Sequence, residues 1–229
     1  MQTIRLTSII AASSMIVGCA TANYSLVPNP NSLQKIVYAD GVPMLLSTKQ
    51  SIVALYPAER TFSAASGPKI AVRVTNKTTQ PFEFSTEDIS ASLRGRNLHV
   101  RTYDELVAEQ QEKIKSANQS AMFAAILGGI SAAGGQSSYA SANTQALAAS
   151  NVQNARTTMS NSMDQVNQAN AEISELTKAV LKKQTVYPGK SYGGYVQLES
   201  FESPPDSPIE ITVNFAGERH EFGYRLSNK

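Results

Sequence analysis

The stretch that decides the fold lies near the C-terminus, at residues 209–226 (IEITVNFAGERHEFGYRL). Apolar side chains occupy alternate positions on both sides of an Ala-Gly pair, at Ile209, Ile211, Val213, Phe215, Phe222, Tyr224 and Leu226. A period of two is typical of a strand with one buried face, and a short Gly-containing interruption is typical of a tight turn. The stretch therefore predicts an antiparallel β-hairpin.

Short strand-like runs recur on both sides of a long central segment. In residues 69–75 (KIAVRVT) the apolar Ile70, Val72 and Val74 again alternate with other residues. Further runs are found at residues 51–56, 82–84, 89–93, 98–102 and 191–198. Turn residues separate these runs, which form two groups, residues 34–102 and residues 185–229. The pattern predicts an antiparallel β-sandwich of immunoglobulin-like type, contributed by both groups.

The central segment, residues 103–184, has a helical pattern. It contains no Pro and has two seams at seven-residue intervals, one at Val152, Met159, Val166, Ile173 and Val180 and one at Ala155, Ser162, Ala169, Leu176 and Lys183. A shorter seam precedes them at Val107, Ile114 and Ala121. Heptad seams are typical of coiled coils, and the Gly-rich stretch between the two arms allows the chain to reverse. We expect an antiparallel helical hairpin inserted into the sandwich, with narrow packing between its helices.

The reversal of this hairpin is uncharged and apolar. Residues 116–155 contain no charged side chain, and their apolar part, residues 121–133, is too short to cross ~30 Å of hydrocarbon as one helix. Three interpretations remain: a tip folded back on the protein's own body, a contact surface for a protein partner or a second copy, and shallow insertion into a bilayer. The absence of Lys or Arg close to it in sequence disfavours the third. The candidate partner-binding residues are Met122, Phe123, Ile126, Leu127 and Ile130.

The N-terminal segment is typical of an export signal. Arg5 precedes an uncharged, largely apolar run at residues 6–17, which is followed by Gly18 and by Cys19, the single cysteine of the chain. A cation, a short apolar region and a small residue describe a signal peptide, predicted here as residues 1–18. The run Ile16, Val17, Gly18, Cys19 resembles the bacterial lipobox, the recognition motif of lipoprotein signal peptidase.

The lipobox resemblance implies the location and the modification of the mature protein. It implies cleavage after Gly18, a diacylglycerol group on the Cys19 thiol and an N-acyl group such as palmitate on the new amino terminus. No other cofactor is expected. Ala20 in the position after the cysteine implies export to the outer membrane. We expect the protein on the periplasmic face of that membrane, and the surface-exposed face is the alternative. The polar residues 19–33 then predict a lipidated tether.

A second resemblance covers most of the mature chain. Residues 101–108 (RTYDELVA) and 185–194 (TVYPGKSYGG) flank the insertion and resemble segments of uncharacterised bacterial lipoproteins. In those proteins an Ala-, Gly- and Ser-rich helical insertion interrupts an immunoglobulin-like sandwich. The resemblance implies the same architecture for this chain and brings no activity with it.

Composition argues against several functional classes. The net charge is +2 without a long basic run, which disfavours nucleic acid as a partner, and two His with one Cys disfavour a His- or Cys-based metal site. We find no nucleophile, phosphate-loop or paired-His motif, so we expect no enzymatic activity. Tyr187, Tyr192 and Tyr195, beside Gly193-Gly194, form either a glycan-binding platform or ordinary sandwich packing.

These observations lead to one expected function and two alternatives. We expect a lipid-anchored outer-membrane or periplasmic envelope protein of non-enzymatic, protein-interaction or scaffolding type. The expected partner is an envelope protein or a second copy of the chain, contacted through the helical hairpin. One alternative is a periplasmic small-ligand or glycan-binding module, and the other is an accessory lipoprotein of a secretion system.

Overall fold

The computed structural model describes residues 23–39, 41–135 and 142–228, with side chains for all of them except 39 and 131–145. In chain order the strands are β1 (Asn23–Pro28), β2 (Gln34–Ala39), β3 (Val42–Thr48), β4 (Ser51–Pro57), β5 (Phe62–Ser63), β6 (Lys69–Asn76), β7 (Phe82–Phe84), β8 (Ile89–Leu93), β9 (Arg96–Leu98), β10 (Val100–Arg101), β11 (Gln184–Val186), β12 (Ser191–Leu198), β13 (Pro208–Phe215) and β14 (Glu218–Asn228). The helices α1 (Tyr103–Gly135) and α2 (Ala142–Ala179) lie between β10 and β11, and a short 3₁₀ helix spans Thr86–Asp88.

The strands form two large antiparallel sheets and one small one. Sheet 1 has the order β5-β1-β14-β13-β8-β9, and sheet 2 has the order β10-β12-β6-β4-β3-β2. Strands β7 and β11 pair separately. The two helices pack against each other as one hairpin. The predicted fold class, an antiparallel β-sandwich with an inserted helical hairpin, is confirmed.

The hairpin predicted at residues 209–226 is the β13–β14 pair. Its register places Phe215 opposite Glu218, so that only Ala216 and Gly217 form the turn. Both turn residues have positive φ, 54° for Ala216 and 76° for Gly217. This is the geometry of a type I′ turn, whose twist matches that of the two strands it joins.

The inward faces of the two sheets form the core. Tyr224 is fully buried, and its hydroxyl crosses between the sheets to donate a hydrogen bond of 3.0 Å to the carbonyl oxygen of Leu55. Burial raises the pKa of this phenol. The other side chains of the core are aliphatic or aromatic, among them Leu45, Val53, Ile70, Val72, Val74, Phe84, Val196, Leu198, Ile209, Ile211, Val213, Phe222 and Leu226.

The N-terminal part of the mature chain differs from the prediction. Residues 19–33 were expected to form a tether, but residues 23–28 are strand β1, which pairs with β14 and β5. Tyr24 and Leu26 point into the core, and the Tyr24 ring packs against Phe62 with centroids 5.8 Å apart and ring planes tilted by 38°. The prediction was wrong here because two Pro and three Asn in residues 19–33 are typical of a loop, whereas the strand is stabilised by pairing with the C-terminal strand.

The two ends of the sandwich are defined by the strand termini that lie at each of them. At one end Asn23 pairs with Ser63, Tyr24 pairs with Asn228, and the amide of Leu198 donates to Pro68. We call this the entry end, because the chain enters the sandwich here. The opposite end, which we call the far end, contains the β13–β14 turn and the start of β4.

The helical hairpin extends beyond its heptads at the tip and ends before them at the base. Helix α2 ends at Ala179, so the last two predicted seam residues, Val180 and Lys183, lie beyond the helix, and Met159 is 55% exposed rather than buried. The most buried seam positions carry small side chains, at Ala117, Ala124, Ser162 and Ala169. Small residues let the two helix axes approach, which leaves a larger Met side chain at the margin.

The hairpin returns to the sandwich through a close backbone approach at Gly194. A Cβ atom at this position would lie 2.7 Å from the amide nitrogen of Leu181, which is too close for any side chain. Leu181 can therefore enter the sandwich core directly after α2, and its amide donates to the carbonyl of Tyr195. Gly194 thus fixes where the hairpin is attached to β12.

Candidate functional site

The five predicted contact residues are exposed on the distal half of α1. Their exposed fractions are 67% for Met122, 68% for Phe123, 47% for Ile126, 63% for Leu127 and 66% for Ile130. We call these five residues the tip face. The interpretation in which this part of the chain folds back on the protein's own body is wrong for them.

The tip face lies on the side of α1 that points away from α2. Ala117, Ala124 and Gly128 follow the seam toward α2, and Ile126 is about half a turn away from that line at 3.6 residues per turn. The described exposed residues of α2 at this level are mainly Ser, Asn, Gln and Thr, although Met159 and Met163 are also exposed. The distal hairpin therefore has an apolar outer side on α1 and a mainly polar surface on α2.

Arg156 brings a positive charge to the level of the tip face. A Cβ atom built on Gly128 would lie 2.8 Å from the Cβ of Ala155, which fixes the register of the two helices at this point. Leu127 and the exposed Arg156 are each one residue from this pair. No cation lies close to the tip face along the sequence of α1, but the antiparallel packing places Arg156 at the same level on α2.

Polar contacts hold the base of the hairpin against sheet 2. Glu105 accepts a hydrogen bond from the amide of Thr102 at 2.8 Å and contacts His99 Nε2 at 2.9 Å, while Glu109 pairs with Arg101. The bond from Thr102 and the contact with His99 lower the pKa of Glu105, and Arg101 lowers that of Glu109. The base is thus braced by several groups at once.

A second set of contacts joins α1 to the segment after α2. The Lys182 ammonium lies 4.2 Å from the centre of the Tyr103 ring, and the Tyr103 hydroxyl is 3.1 Å from Thr177 Oγ1. Leu106, Leu176 and Val180 pack together beneath these groups. These contacts bind both helices to one another where they leave the sandwich.

The hairpin leaves the sandwich at the entry end. A cleft of about 960 Å³ separates its base from the sandwich. On the sandwich side the cleft is lined by entry-end residues, including Ser63, Ser66, Gln197 and Glu199, and on the hairpin side by residues as far along as Lys113 and Gln168. Burial lowers the pKa of Lys69 in this cleft, but the carboxylate of Glu59 and more weakly that of Glu172 raise it above the usual value.

A buried polar network at the far end has the residue types of a hydrolase but the wrong arrangement. Ser51 Oγ donates to Glu218 Oε2 at 2.6 Å and is therefore free only to accept from His220 Nε2 at 3.0 Å. His220 Nδ1 is 2.9 Å from the hydroxyl of Ser47. Ser51 has no exposed surface, so a substrate cannot reach its hydroxyl.

The hydrogen bonds of this network fit a neutral imidazole. Nε2–H donates to Ser51, and Nδ1 accepts from the Ser47 hydroxyl. Burial and the nearby Lys49 lower the pKa of His220, against the weaker opposing effect of Glu218. Burial raises the pKa of Glu218, but its bonds from Ser51 and Gln50 outweigh burial and leave it below the usual value. The network therefore stabilises the fold.

The three candidate tyrosines do not form one platform. Tyr192 is fixed by hydrogen bonds of its hydroxyl with the amide and the carbonyl of Lys182, at 3.1 and 2.9 Å. Tyr195 lines the base cleft on the outer side of β12, and Tyr187 is exposed on the turn before β12. Packing, rather than a shared binding surface, explains the position of Tyr192.

Sequence reasoning missed an apolar groove on the outer face of sheet 2. The groove has a volume of about 460 Å³ and is lined by Val42, Met44, Leu46, Ile52, Ala54, Tyr56, Arg73 and Thr75. The near-continuous apolar run of β4 could have indicated it, because a strand that is apolar at successive positions has two apolar faces. The single cation, Arg73, lies on one side of this groove.

The remaining predicted site residues lie outside the described part of the chain. They are the lipid attachment residue Cys19 and the recognition residues Ile16, Val17 and Gly18. Neither α1 nor α2, over the residues that are described, is long and apolar enough to cross a membrane. Residues 23–39, 41–135 and 142–228 contain no group of three or more His, Cys, Asp or Glu placed to hold a metal ion.

No protein-family model matches this chain, and no curated protein sequence matches it.

Proposed function

We propose that this protein is a non-enzymatic, lipid-anchored envelope protein that acts through contacts of its helical hairpin. The lipobox at residues 16–19 supports an anchor on Cys19, with the sandwich on the periplasmic face of the outer membrane. The observation that carries the proposal is the exposure of five large apolar side chains on one face of a projecting helix. A contiguous exposed apolar surface is the usual mark of an interaction site.

The sandwich and the hairpin are packed differently, and this suits them to different roles. The sandwich is closed by a continuous core and serves as a rigid platform, whereas the distal hairpin is held only by its own narrow seam. Such a hairpin buries little area and is suited to adapting to the surface that it contacts. The proposal therefore combines a stable sandwich with a flexible contact element, the helical hairpin, which we call the arm.

The anchor is tested by comparing the wild-type chain with Cys19→Ser in the bacterial envelope. We expect the wild type to fractionate with the outer membrane and to begin with a triacylated residue 19 by mass spectrometry. Cys19→Ser should remain as the unprocessed precursor. Because the chain has no other thiol, a cleaved wild-type chain without lipid on residue 19 would contradict the anchor.

The arm is tested by a deletion that respects the helix register. Replacing residues 117–165 with a short Gly-Ser linker removes the distal hairpin and keeps the base contacts of Tyr103, Lys182 and Arg101. We expect the sandwich to unfold as cooperatively as in the wild type. A photo-crosslinker at Ile126 of the intact chain should give adducts to an envelope component, and one at the exposed far-end residue Tyr187 should not. Equal labelling from both sites would argue against the arm.

The outer groove favours a second candidate function, the binding of a small amphiphile. Its apolar lining and the adjacent Arg73 suit a short acyl chain with a carboxylate. Titration with decanoate should show saturable binding that is lost in Ala54→Phe, which fills the groove. Binding that survives Ala54→Phe would place the ligand elsewhere.

A further inference from the structure

We propose that the tip face of the hairpin is a membrane-contact surface, and that it rests on the lipid bilayer to which the same chain is anchored. This inference rests on the proposed lipid anchor and names what the arm contacts. It follows from three observations: where the hairpin leaves the sandwich, how short the connection to the anchor is, and how charge is distributed along the hairpin.

The hairpin and the anchored N-terminus belong to the same end of the molecule. Strand β1 begins at Asn23, which pairs with Ser63, and Ser63 also lines the cleft under the hairpin base. None of the sandwich residues in that cleft comes from the far end. An anchor attached just before β1 therefore turns the hairpin-bearing end toward the bilayer.

The arm is longer than the connection to the anchor. From Cys19 to Asn23 the chain has four residue steps, which reach at most about 14 Å when fully extended. From Lys113, still level with the cleft, to the end of α1 at Gly135 the helix measures about 33 Å at 1.5 Å per residue. Because the hairpin and the anchored N-terminus are both attached at the entry end, the tip of the hairpin lies within reach of the bilayer surface.

The charge distribution fits a helix lying in the interface. Beyond Lys115 the described part of α1 has no charged residue, and its outer side is the apolar tip face. Arg156 of α2 stands at the level of Leu127. Lys113 and Lys115 stand at the base, where they pair with Glu109 and Glu112 at 3.0 and 3.5 Å. Cations beside an apolar face can reach lipid phosphates while the apolar side chains enter the acyl region. The polar outer side of α2 would then face water.

The test uses the absence of Trp from the natural chain. Phe123→Trp places one fluorophore on the tip face, and Tyr187→Trp places a matched one at an exposed far-end position. Each full-length lipidated protein is reconstituted into vesicles of phosphatidylethanolamine and phosphatidylglycerol, with and without acyl-brominated lipid. We expect a blue-shifted emission at position 123, at least two-fold quenched by brominated lipid, and an unshifted emission at position 187.

A third protein distinguishes contact with lipid from contact with a protein surface. Phe123→Trp combined with Ile126→Asp should remain anchored and folded, but should lose the blue shift and the quenching. Emission at position 123 that is unshifted and open to aqueous iodide in an anchored protein would overturn the inference and leave the anchor standing. A blue shift without bromolipid quenching would equally overturn it, and would indicate a protein surface or a second copy. Failure to co-sediment with vesicles would instead refute the anchor.

Discussion

At the residue scale, His220 is the side chain whose burial has the clearest consequence for stability. It is 1% exposed, and its neighbours are Ser47, Ser51, Glu218 and Lys49. Because burial lowers its pKa, the unfolded chain takes up a proton before the folded chain does as the pH falls. The stabilisation is therefore complete above the unfolded pKa of about 6.5 and is lost below it.

Replacing this imidazole should remove the pH dependence that it causes. The wild-type free energy of unfolding should decrease between pH 6.5 and pH 5.5, with a slope of at most about 1.4 kcal/mol per pH unit. His220→Gln should have a lower free energy of unfolding at pH 7.5. Its free energy of unfolding should change less between pH 6.5 and pH 5.5 than that of the wild type. Urea unfolding at several pH values measures both, and His99→Gln, at an exposed position, is the control. A slope as steep in His220→Gln as in the wild type would assign the pH dependence to another group.

At the turn residue Ala216 we expect a substitution to raise the free energy of unfolding. Its φ of 54° lies in the left-handed region, where a Cβ atom costs roughly 1–2 kcal/mol and where Asn is tolerated better than Ala. Ala216→Asn should therefore raise the free energy of unfolding by about 0.5–1 kcal/mol, since Asn-Gly is the preferred pair in type I′ turns. Chemical denaturation measures the change. A loss of stability would mean that the side chain at this position makes an unfavourable contact.

The element scale shows what local patterns can and cannot predict. The β13–β14 hairpin was predictable because its period-two pattern and its turn lie in one continuous stretch. Strand β1 was not, because its partners, Asn228 and Ser63, are remote in sequence and its own composition is that of a loop. Similarly, His220 continues the inward alternation of Phe222, Tyr224 and Leu226, a signal for burial that attention to polar residues alone overlooks.

The helical hairpin and its narrow packing were predictable, but the register of its two helices was not. Heptads and small seam residues indicate which faces meet and that they pack closely, yet not which residues stand opposite each other. The close approach of Gly128 to Ala155 fixes that register. The same register places Arg156 at the level of the tip face, which no local stretch of sequence shows. The candidate residues of the tip face were therefore found from sequence, and their surroundings were not.

Two adjacent glycines of α1 make this packing testable. At Gly128 an added Cβ would come within 2.8 Å of Ala155, whereas at Gly129 nothing lies within 4 Å. Gly129→Ala should stabilise the distal helix by about 1 kcal/mol through helix propensity. Gly128→Ala should lose this gain, because the helices must separate. Amide hydrogen exchange of residues 117–128 measures the difference, with β13 and β14 as internal controls. Equal protection in both variants would show that the seam is loose at this level.

At the scale of the whole molecule, attachment and reach act together. A bilayer contact made by five apolar side chains without an anchor would be weak, and a lipid anchor without the arm would leave the orientation of the sandwich undetermined. Fixing Asn23 within about 14 Å of the anchor keeps the entry end close to the lipid and raises the effective concentration of the tip face at its surface. The short connection is thus as much a part of the proposed contact as the tip face itself.

This coupling predicts the effect of lengthening the connection. Inserting twenty Gly-Ser residues between Ala22 and Asn23 separates them by about 25 Å on average and lets the sandwich rotate freely. In the Phe123→Trp background, quenching by brominated lipid should fall substantially while the protein stays anchored. An inserted rigid Pro-rich spacer of equal residue number, about 60 Å long, should reduce it further, because it holds the tip beyond reach of the bilayer. Quenching unchanged by both spacers would show that the tip face binds lipid by its own affinity and that the short connection does not position it.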